Sequence, residues 1–205
     1  LPVYLLCGRL LYEFYSQATK RAMRSIRNSA SVIKKVYVPK YIYPMANVTS
    51  NFITFLISLL VLVFVMGYYL IFTDTAMRLT PYIFLSFVPI IILFVLCVGV
   101  GMILCTMEVF FKDVEYMYEV FCMLLFYATP IFYDVETLRI TNKYAQYALM
   151  ANPLYSIVSM FRDCVLFGRA MNPHHIIYSA VFSIVMLLIG VLVFYKKQDD
   201  FILHI

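Results

Sequence analysis

Three long runs of the sequence contain no charged residue, and they decide the class of fold. Residues 52–72 contain 21 consecutive uncharged residues, residues 81–107 are free of charge for 27 residues, and residues 176–195 form an apolar run of 20. A helix needs about 20 apolar residues to cross the hydrocarbon core of a membrane. Only 13% of the residues are charged, against about 25% in an ordinary soluble domain. The sequence therefore predicts an all-α integral membrane protein.

Two shorter apolar segments are expected to add spans to these three. Residues 1–16 have the composition of the end of a spanning helix whose start is missing. Residues 116–133 reach about 27 Å at ~1.5 Å per residue, but they include Glu119, and Pro130 interrupts their end. A broken apolar segment of this kind often lies on a transport path. The prediction is a bundle with five visible spans.

Arg9 and Glu13 are the charged residues of the first segment. They stand four positions apart and are predicted to pair on one helix face. An ion pair at membrane depth should face protein or water rather than lipid. Two interpretations stay open: a polar patch beside a pathway, or a helix that is already leaving the membrane.

Residues 17–40 carry seven basic residues and no acidic one. Apolar residues recur among them at helical spacing, which predicts a basic amphipathic helix, or a pair of short helices, at a membrane surface. A nucleic-acid surface would also be basic, but the adjoining spans argue against it. Pro39 and Pro44 are expected to end one helix and permit a new start.

Small residues and prolines divide the rest of the chain. Pro89 is expected to kink the helix of residues 81–107. Gly99, Gly101 and Cys105 form a small face where another helix can approach closely, which is a better interpretation than a ligand site. Residues 134–173 contain no clean span. We expect two short helices there, at 144–150 and 154–161, that dip back into the outer interface, with Pro153 opening the second.

The distribution of basic residues predicts the orientation. If residues 17–43 are inside, the spans place the turn at 108–115 and the C-terminal tail inside as well. The seven bases of 17–40 with Lys112, Lys196 and Lys197 then make ten inside, against five outside at Arg78, Arg139, Lys143, Arg162 and Arg169. This excess agrees with the positive-inside rule. One further span before residue 1 would return the N-terminus to the cytoplasm and give six.

A search for catalytic and metal-binding patterns predicts neither kind of site. The sequence contains no P-loop, no G-x-S-x-G and no H-E-x-x-H. Adjacent side chains on a helix point about 100° apart, so His174 and His175 do not converge on a metal. Asp134, Glu136 and Asp163 are the acids that an enzyme would have to use, but nothing fixes their separation. The five cysteines form no C-x-x-C pair and are interpreted as small buried residues.

Five stretches together carry a resemblance to a known family. They are GRLLYEFYSQA at 8–18, VIKKVYVPKYIYPMANV at 32–48, the charged turn FFKDVEYMYEV, the following ATPIFY, and ANPLYSIVSMFRD some twenty residues on. In this order and topology the chain resembles the permease subunits of type-2 ABC exporters. It is most similar to the polysaccharide branch, which exports O-antigen, capsule and teichoic acid. The family usually has arginine where Lys112 stands.

The resemblance implies a single permease domain over 1–205 that lacks an amphipathic N-terminal helix and the first span. It implies a homodimer in the bacterial cytoplasmic membrane, with a cytoplasmic C-terminus, bound to two copies of an ATP-binding subunit. ATP and magnesium would be held by that partner, so this chain would bind no cofactor and would not be an enzyme. Membrane lipid and a lipid-linked glycan would be its other partners, and nucleic acid would not.

The resemblance also implies roles for individual residues. The segments that would contact the ATPase are the basic stretch around 28–35 and the turn at 108–115. The coupling residues predicted within them are Asn28, Val32, Lys34, Lys35, Glu108, Phe111, Lys112, Asp113 and Glu115. Aromatic faces suit the C–H surfaces of sugars, and the aromatic residues predicted to line the channel are Tyr12, Phe14, Phe121, Phe126, Tyr127, Phe132 and Tyr133. Packing in the core or against lipid is the alternative for each of these.

Two other functions compete with polysaccharide export. A type-2 exporter of drugs or other small lipophilic molecules would share the fold, although a large extracellular domain or a fused ATPase would be typical of that branch. A secondary transporter or channel without an ATPase would need ionisable residues inside its spans. The runs 52–72, 81–107 and 176–195 contain none, which favours a transporter that takes its energy from a separate ATPase.

Overall fold

The computed structural model describes residues 2–36, 38–72, 81–131 and 152–201, and within these ranges it contains helices and turns but no strand. The α-helices are α1 (Pro2–Met23), α2 (Ser25–Asn28), α3 (Ala30–Ile33), α4 (Ile42–Phe72), α5 (Phe87–Phe110), α6 (Val114–Ala128), α7 (Pro153–Arg162) and α8 (Pro173–Lys197). Short 3-10 helices cover Pro81–Ser86 and Gln198–Asp200, and a π-helical turn covers Asp163–Phe167. The predicted helix at 144–150 lies outside the described residues.

Three helices in the described ranges are long and apolar enough to cross a membrane. They cover Ile42–Tyr69, Ile83–Phe110 and Pro173–Asp200, each of 28 residues. At ~1.5 Å per residue each is about 42 Å long, which exceeds the ~30 Å hydrocarbon core. These helices cover most of the three uncharged runs and confirm the all-α membrane class. α1 and α6 do not meet the same test of length and hydropathy.

The helix predicted over 116–133 is shorter than expected. α6 has 15 residues, about 22 Å, and ends at Ala128. Thr129 has extended backbone angles, φ −87° and ψ 127°, because a proline disfavours helical geometry in the residue before it. Pro130 therefore ends α6 rather than bending it.

α1 is longer than predicted and continues past residue 16 to Met23. Its buried face runs through Cys7, Leu11, Ala18 and Ala22, all at most 1% exposed. This spacing keeps one side of the helix against the bundle. The basic stretch that follows forms α2 and α3, each of four residues, which agrees with a pair of short helices.

The centre of the bundle is the crossing of α5 and α8. A Cβ added to Gly99 would lie 2.6 Å from the Leu187 backbone nitrogen, and one added to Gly190 would collide with the Gly99 carbonyl. A Cβ on Gly101 would lie 2.8 Å from the Ala22 side chain. The glycines of α5 thus permit close helix approach, which confirms the packing interpretation.

Prolines act at helix starts. Pro89 lies in the first turn of α5, directly after the 3-10 helix. The kink expected at Pro89 stays a prediction. Pro153 opens α7, as predicted, behind Asn152, whose side chain accepts from the Leu154 N–H at 3.0 Å. Asn172 and Pro173 open α8 in the same way, and the Asn172 side chain accepts from the His174 N–H at 3.1 Å.

Three segments are predicted to lie on the cytoplasmic side: residues 17–43, the turn at 108–115 and the C-terminal tail. They meet at one end of the bundle. The end of α8 reaches the end of α5, where Lys197 Nζ lies 5.7 Å from the centre of the Phe110 ring. Lys40, before α4, donates to the Gln198 carbonyl and lies 5.8 Å from the Phe201 ring centre. The arrangement agrees with the predicted alternation of the helices.

Candidate functional site

A network of ion pairs joins the first basic segment to the α5–α6 turn. Arg24 Nη2 lies 2.7 Å from Glu115 Oε1 and 3.0 Å from Glu119 Oε1. Arg27 Nη2 lies 2.7 Å from Glu115 Oε2, and Arg27 Nη1 lies 3.1 Å from Glu108 Oε1. We call these five residues the charge network. It connects the end of α1 and α2 with the end of α5 and the start of α6.

Glu108 is the buried member of the charge network. It is 2% exposed, and neither of its carboxylate oxygens has a hydrogen-bond partner. Its contact with Arg27 is close enough for an ion pair but lacks hydrogen-bond geometry. The hydrogen bond with Glu115 raises the pKa of Arg27 above its ordinary value. Arg27 therefore stays charged and offsets part of the cost of burying the Glu108 side chain.

The turn beside the charge network projects away from the bundle. Phe111 has extended backbone angles, φ −133° and ψ 98°, which end α5. Its side chain is 69% exposed, and those of Lys112 and Asp113 are exposed as well. Asp113 occupies the cap position of α6 but makes no side-chain cap hydrogen bond. The turn thus presents an apolar ring and two opposite charges on a rigid base.

The predicted coupling residues fall into two groups. Asn28, Val32, Lys34, Lys35, Phe111, Lys112 and Asp113 are exposed, whereas Glu108 and Glu115 are held in the charge network. Arg24, Arg27 and Glu119 were missed. A signal for them is present in the sequence: an acid-free basic segment and an acidic turn both adjoin spans at the same predicted face.

The predicted channel aromatics are dispersed. Tyr12 packs against Phe126 at a centroid distance of 5.0 Å, and its hydroxyl donates to the Cys122 carbonyl, so this pair ties α1 to α6. Phe14 lies in the core against Phe55, at 4.8 Å. The side chains of Phe121 and Tyr127 on α6 are exposed. Phe132 and Tyr133 lie outside the described residues.

Arg162 organises the opposite end of the bundle. Its guanidinium donates to the carbonyls of Pro130 at 2.8 Å, Ile131 at 3.0 Å and Tyr4 at 3.3 Å. It also lies 3.6 Å from the centre of the Tyr4 ring. Gly8 leaves room for it, since a Cβ there would collide with Nη2. Arg162 is 4% exposed, so it fastens α7 to α1 and to the end of α6.

The other residues that the sequence analysis considered for metal binding, catalysis or ion pairing make only structural contacts where they are described. All five cysteines are buried and unpaired, as predicted. His175 lies with Nδ1 3.2 Å from Ser156 Oγ, between α8 and α7. Asp163 begins the π-helical turn, and Asp134 and Glu136 lie outside the described residues. The predicted pair of Arg9 and Glu13 is wrong, because both side chains are exposed and form none of the salt bridges of the described chain.

Comparison with known proteins identifies the class of protein that carries these features. A model of the ABC-2 type transporter family matches residues 3–166, and the chain belongs to this family. Its members are transporters, and the type-2 ABC exporters to which they belong work with an ATP-binding subunit. The resemblance found in the sequence is therefore confirmed.

The chain is also similar to named export proteins over nearly its full length. It is 26% identical to an O-antigen export system permease protein of Klebsiella pneumoniae, over 97% of this chain and 73% of that protein. It is 23% identical to an O-antigen export system permease protein of Myxococcus xanthus, over 98% and 74%. It is 24% identical to a polysialic acid transport protein of Escherichia coli, over 97% and 74%.

Proposed function

We propose that this chain is the permease subunit of an ATP-driven exporter that moves a lipid-linked polysaccharide across the bacterial cytoplasmic membrane. The observation that carries the proposal is the similarity, over almost the whole chain, to permeases of O-antigen export and to a polysialic acid transporter. These relatives handle different sugars. The substrate class is therefore a glycan polymer or its precursor rather than one defined saccharide.

The described bundle and the distribution of charge support a topology for this permease. In this proposal α1 and α6 complete five spans, and α7 dips back into the outer interface. The end that holds the charge network and the tail after α8 is cytoplasmic, because most of the basic residues lie there. Residues 1–205 act as one permease domain.

ATP hydrolysis on a separate subunit supplies the energy for export. Two copies of this chain pair with two copies of an ATP-binding subunit, which holds ATP and magnesium. The exposed residues of the α5–α6 turn, Phe111 to Asp113, and those of 28–35 contact that subunit. The charge network links these two elements, so closure of the ATPase dimer shifts α6 together with the turn that precedes it.

The glycan passes between the two permease copies. Tyr12 and Phe126, which join α1 to α6, and the exposed Phe121 and Tyr127 present aromatic faces to the sugar rings. Phe132 and Tyr133 are predicted from the sequence to line the same channel. Phe14 supports α1 from the core side.

The experiment is a pull-down of the full-length protein from its native cells in mild detergent. We expect a stoichiometric P-loop ATPase to co-purify, and lipid-linked glycan to accumulate in the cytoplasmic membrane when the pair is depleted. Recovery of an intact permease dimer without an ATPase would overturn the proposal.

A further inference from the structure

The exposed face of α1 is unlike the exposed faces of the long apolar helices. Arg9, Glu13, Gln17 and Arg21 follow one another at four-residue spacing, and all four side chains are exposed. Residues four apart lie above one another on a helix, so they form one polar row about 18 Å long. The large exposed side chains of α4 and α8 are apolar instead: Ile57, Leu60, Phe64, Val181, Leu188 and Leu192.

The polar row extends into the depth of the bundle. Arg9 precedes Arg24 of the charge network by 15 residues, about 22 Å along the helix. Charged side chains at membrane depth face protein or water. Arg9 and Glu13 form none of the salt bridges of the described residues. The row is therefore placed to face water, while the apolar faces of α4 and α8 suit lipid.

Two grooves run along the row, each with a volume of about 220 Å³. The first lies between α1 and α6 and is lined by Arg9, Tyr12, Glu13, Ser16, Gln17 and Phe126. The second lies between α1 and α4, where polar side chains of α4 such as Asn51 and Thr54 face Glu13 and Gln17. The first groove thus combines a row of polar groups with the fixed aromatic pair Tyr12 and Phe126.

We propose that the polar row and the first groove bind the sugar units of the exported glycan, an assignment that rests on the proposed function. A sugar ring offers hydroxyls that both donate and accept hydrogen bonds, together with an apolar C–H face. Gln17 can donate and accept, Glu13 accepts and Arg9 donates, while the aromatic pair supplies a flat apolar surface. A path for ions of one sign would carry a ring of one charge, whereas this row carries both signs.

The first test measures whether the row faces water. Gln17→Cys and the control Leu188→Cys are made in the full-length permease and expressed with its ATPase, since the five native cysteines are buried. A membrane-impermeant charged methanethiosulfonate is applied to inside-out and right-side-out vesicles. We expect Gln17→Cys to react at least about tenfold faster, because the reacting thiolate forms in water and not in hydrocarbon. Equal rates would overturn the proposal.

The second test measures export itself. Gln17→Leu should lower the glycan delivered to the cell surface by about fivefold, the effect of one lost hydrogen bond. Lipid-linked glycan should be retained in the membrane, and ATPase co-purification should be unchanged. Leu188→Ala is the control and should export normally. If the unaltered permease fails to recover an ATPase, the proposed function falls; if it recovers the ATPase but Gln17→Leu exports normally, only this assignment falls.

Discussion

The helix pair α5–α8 and the helix α6 are held in the bundle by different means. α5 and α8 meet backbone to backbone at Gly99 and Gly190, with no room for a side chain. α6 buries only Tyr118 and Cys122, and most of its other side chains are exposed. Apart from the contact between the Tyr12 and Phe126 rings, its attachments to the bundle are mainly polar. They are the charge network, the Tyr12 hydroxyl on the Cys122 carbonyl, and the Tyr118 hydroxyl, which donates to Thr19 Oγ1 at 2.8 Å.

These two kinds of attachment indicate which part of the molecule can move. A close-packed crossing has one arrangement, because interiors do not deform continuously. Polar contacts can be exchanged for water or for a partner at a small net cost. We therefore expect α5 and α8 to stay fixed while α6 changes position with the turn that precedes it.

A substitution at the crossing of α5 and α8 should affect folding more than any other change predicted below. Gly99→Ala should abolish accumulation of folded permease, because its Cβ would lie 2.6 Å from the Leu187 backbone nitrogen and backbone cannot give way as a side chain does. Expression and a monodisperse elution profile in detergent are the measurements. Gly67→Ala is the control, since nothing lies within 4 Å of its Cβ. It should keep or raise stability by about 0.5–1 kcal/mol, and normal folding of Gly99→Ala would refute rigid packing.

A substitution at the buried end of the charge network should have the next largest effect on stability. Arg27→Gln leaves Glu108 buried without a cation and should lower the free energy of unfolding by about 1–3 kcal/mol. Glu108→Gln in the same chain should restore part of that loss, because the amide carries no charge. The melting temperature in detergent of the two single variants and the double variant measures the coupling. Strictly additive losses would show that the two side chains do not act on each other.

The sequence was sufficient for the parts of the fold that depend on local chemistry. The uncharged runs around residues 52–72 and 176–195 define helices by length and composition alone, and Pro153 marks a helix start by its missing N–H. The end of α6 at Ala128 was missed although Pro130 indicated it. The apolar residues after Pro130 made the segment look longer than the helix.

The sequence was not sufficient for contacts between distant segments. Arg9 and Glu13 were predicted to pair because they are four apart, yet local spacing permits a pair without requiring it. Arg27 instead pairs with residues more than 80 positions away, Glu108 and Glu115. Only the packing of α1 and α5 brings these charges together, so the two coupling segments were located while the network that joins them was missed.

Loss of a hydrogen bond between α6 and α1 should lower the stability by a smaller amount. Tyr118→Phe keeps the buried ring and removes the hydroxyl that donates to Thr19 Oγ1. The loss should be about 0.5–1.5 kcal/mol, since Thr19 still donates to the Tyr15 carbonyl at 2.7 Å. Thermal unfolding in detergent measures it, with Tyr116→Phe as the control because that ring is exposed. An equal change in both variants would mean that the buried hydrogen bond does not hold α6.

A substitution in the α5–α6 turn should have the smallest effect on stability. It tests contact with the ATP-binding subunit separately from folding. Asp113 is exposed, caps no helix through its side chain and forms none of the ion pairs of the described residues. Asp113→Ala should therefore leave the melting temperature of the permease unchanged. It should nevertheless weaken co-purification of the ATP-binding subunit, because the turn that carries it projects from the end proposed to contact that subunit. Asp199→Ala, also exposed at this end of the bundle, is the matched control. Undiminished co-purification with Asp113→Ala would remove this residue from the contact and would leave Phe111 and Lys112 to be tested in the same assay.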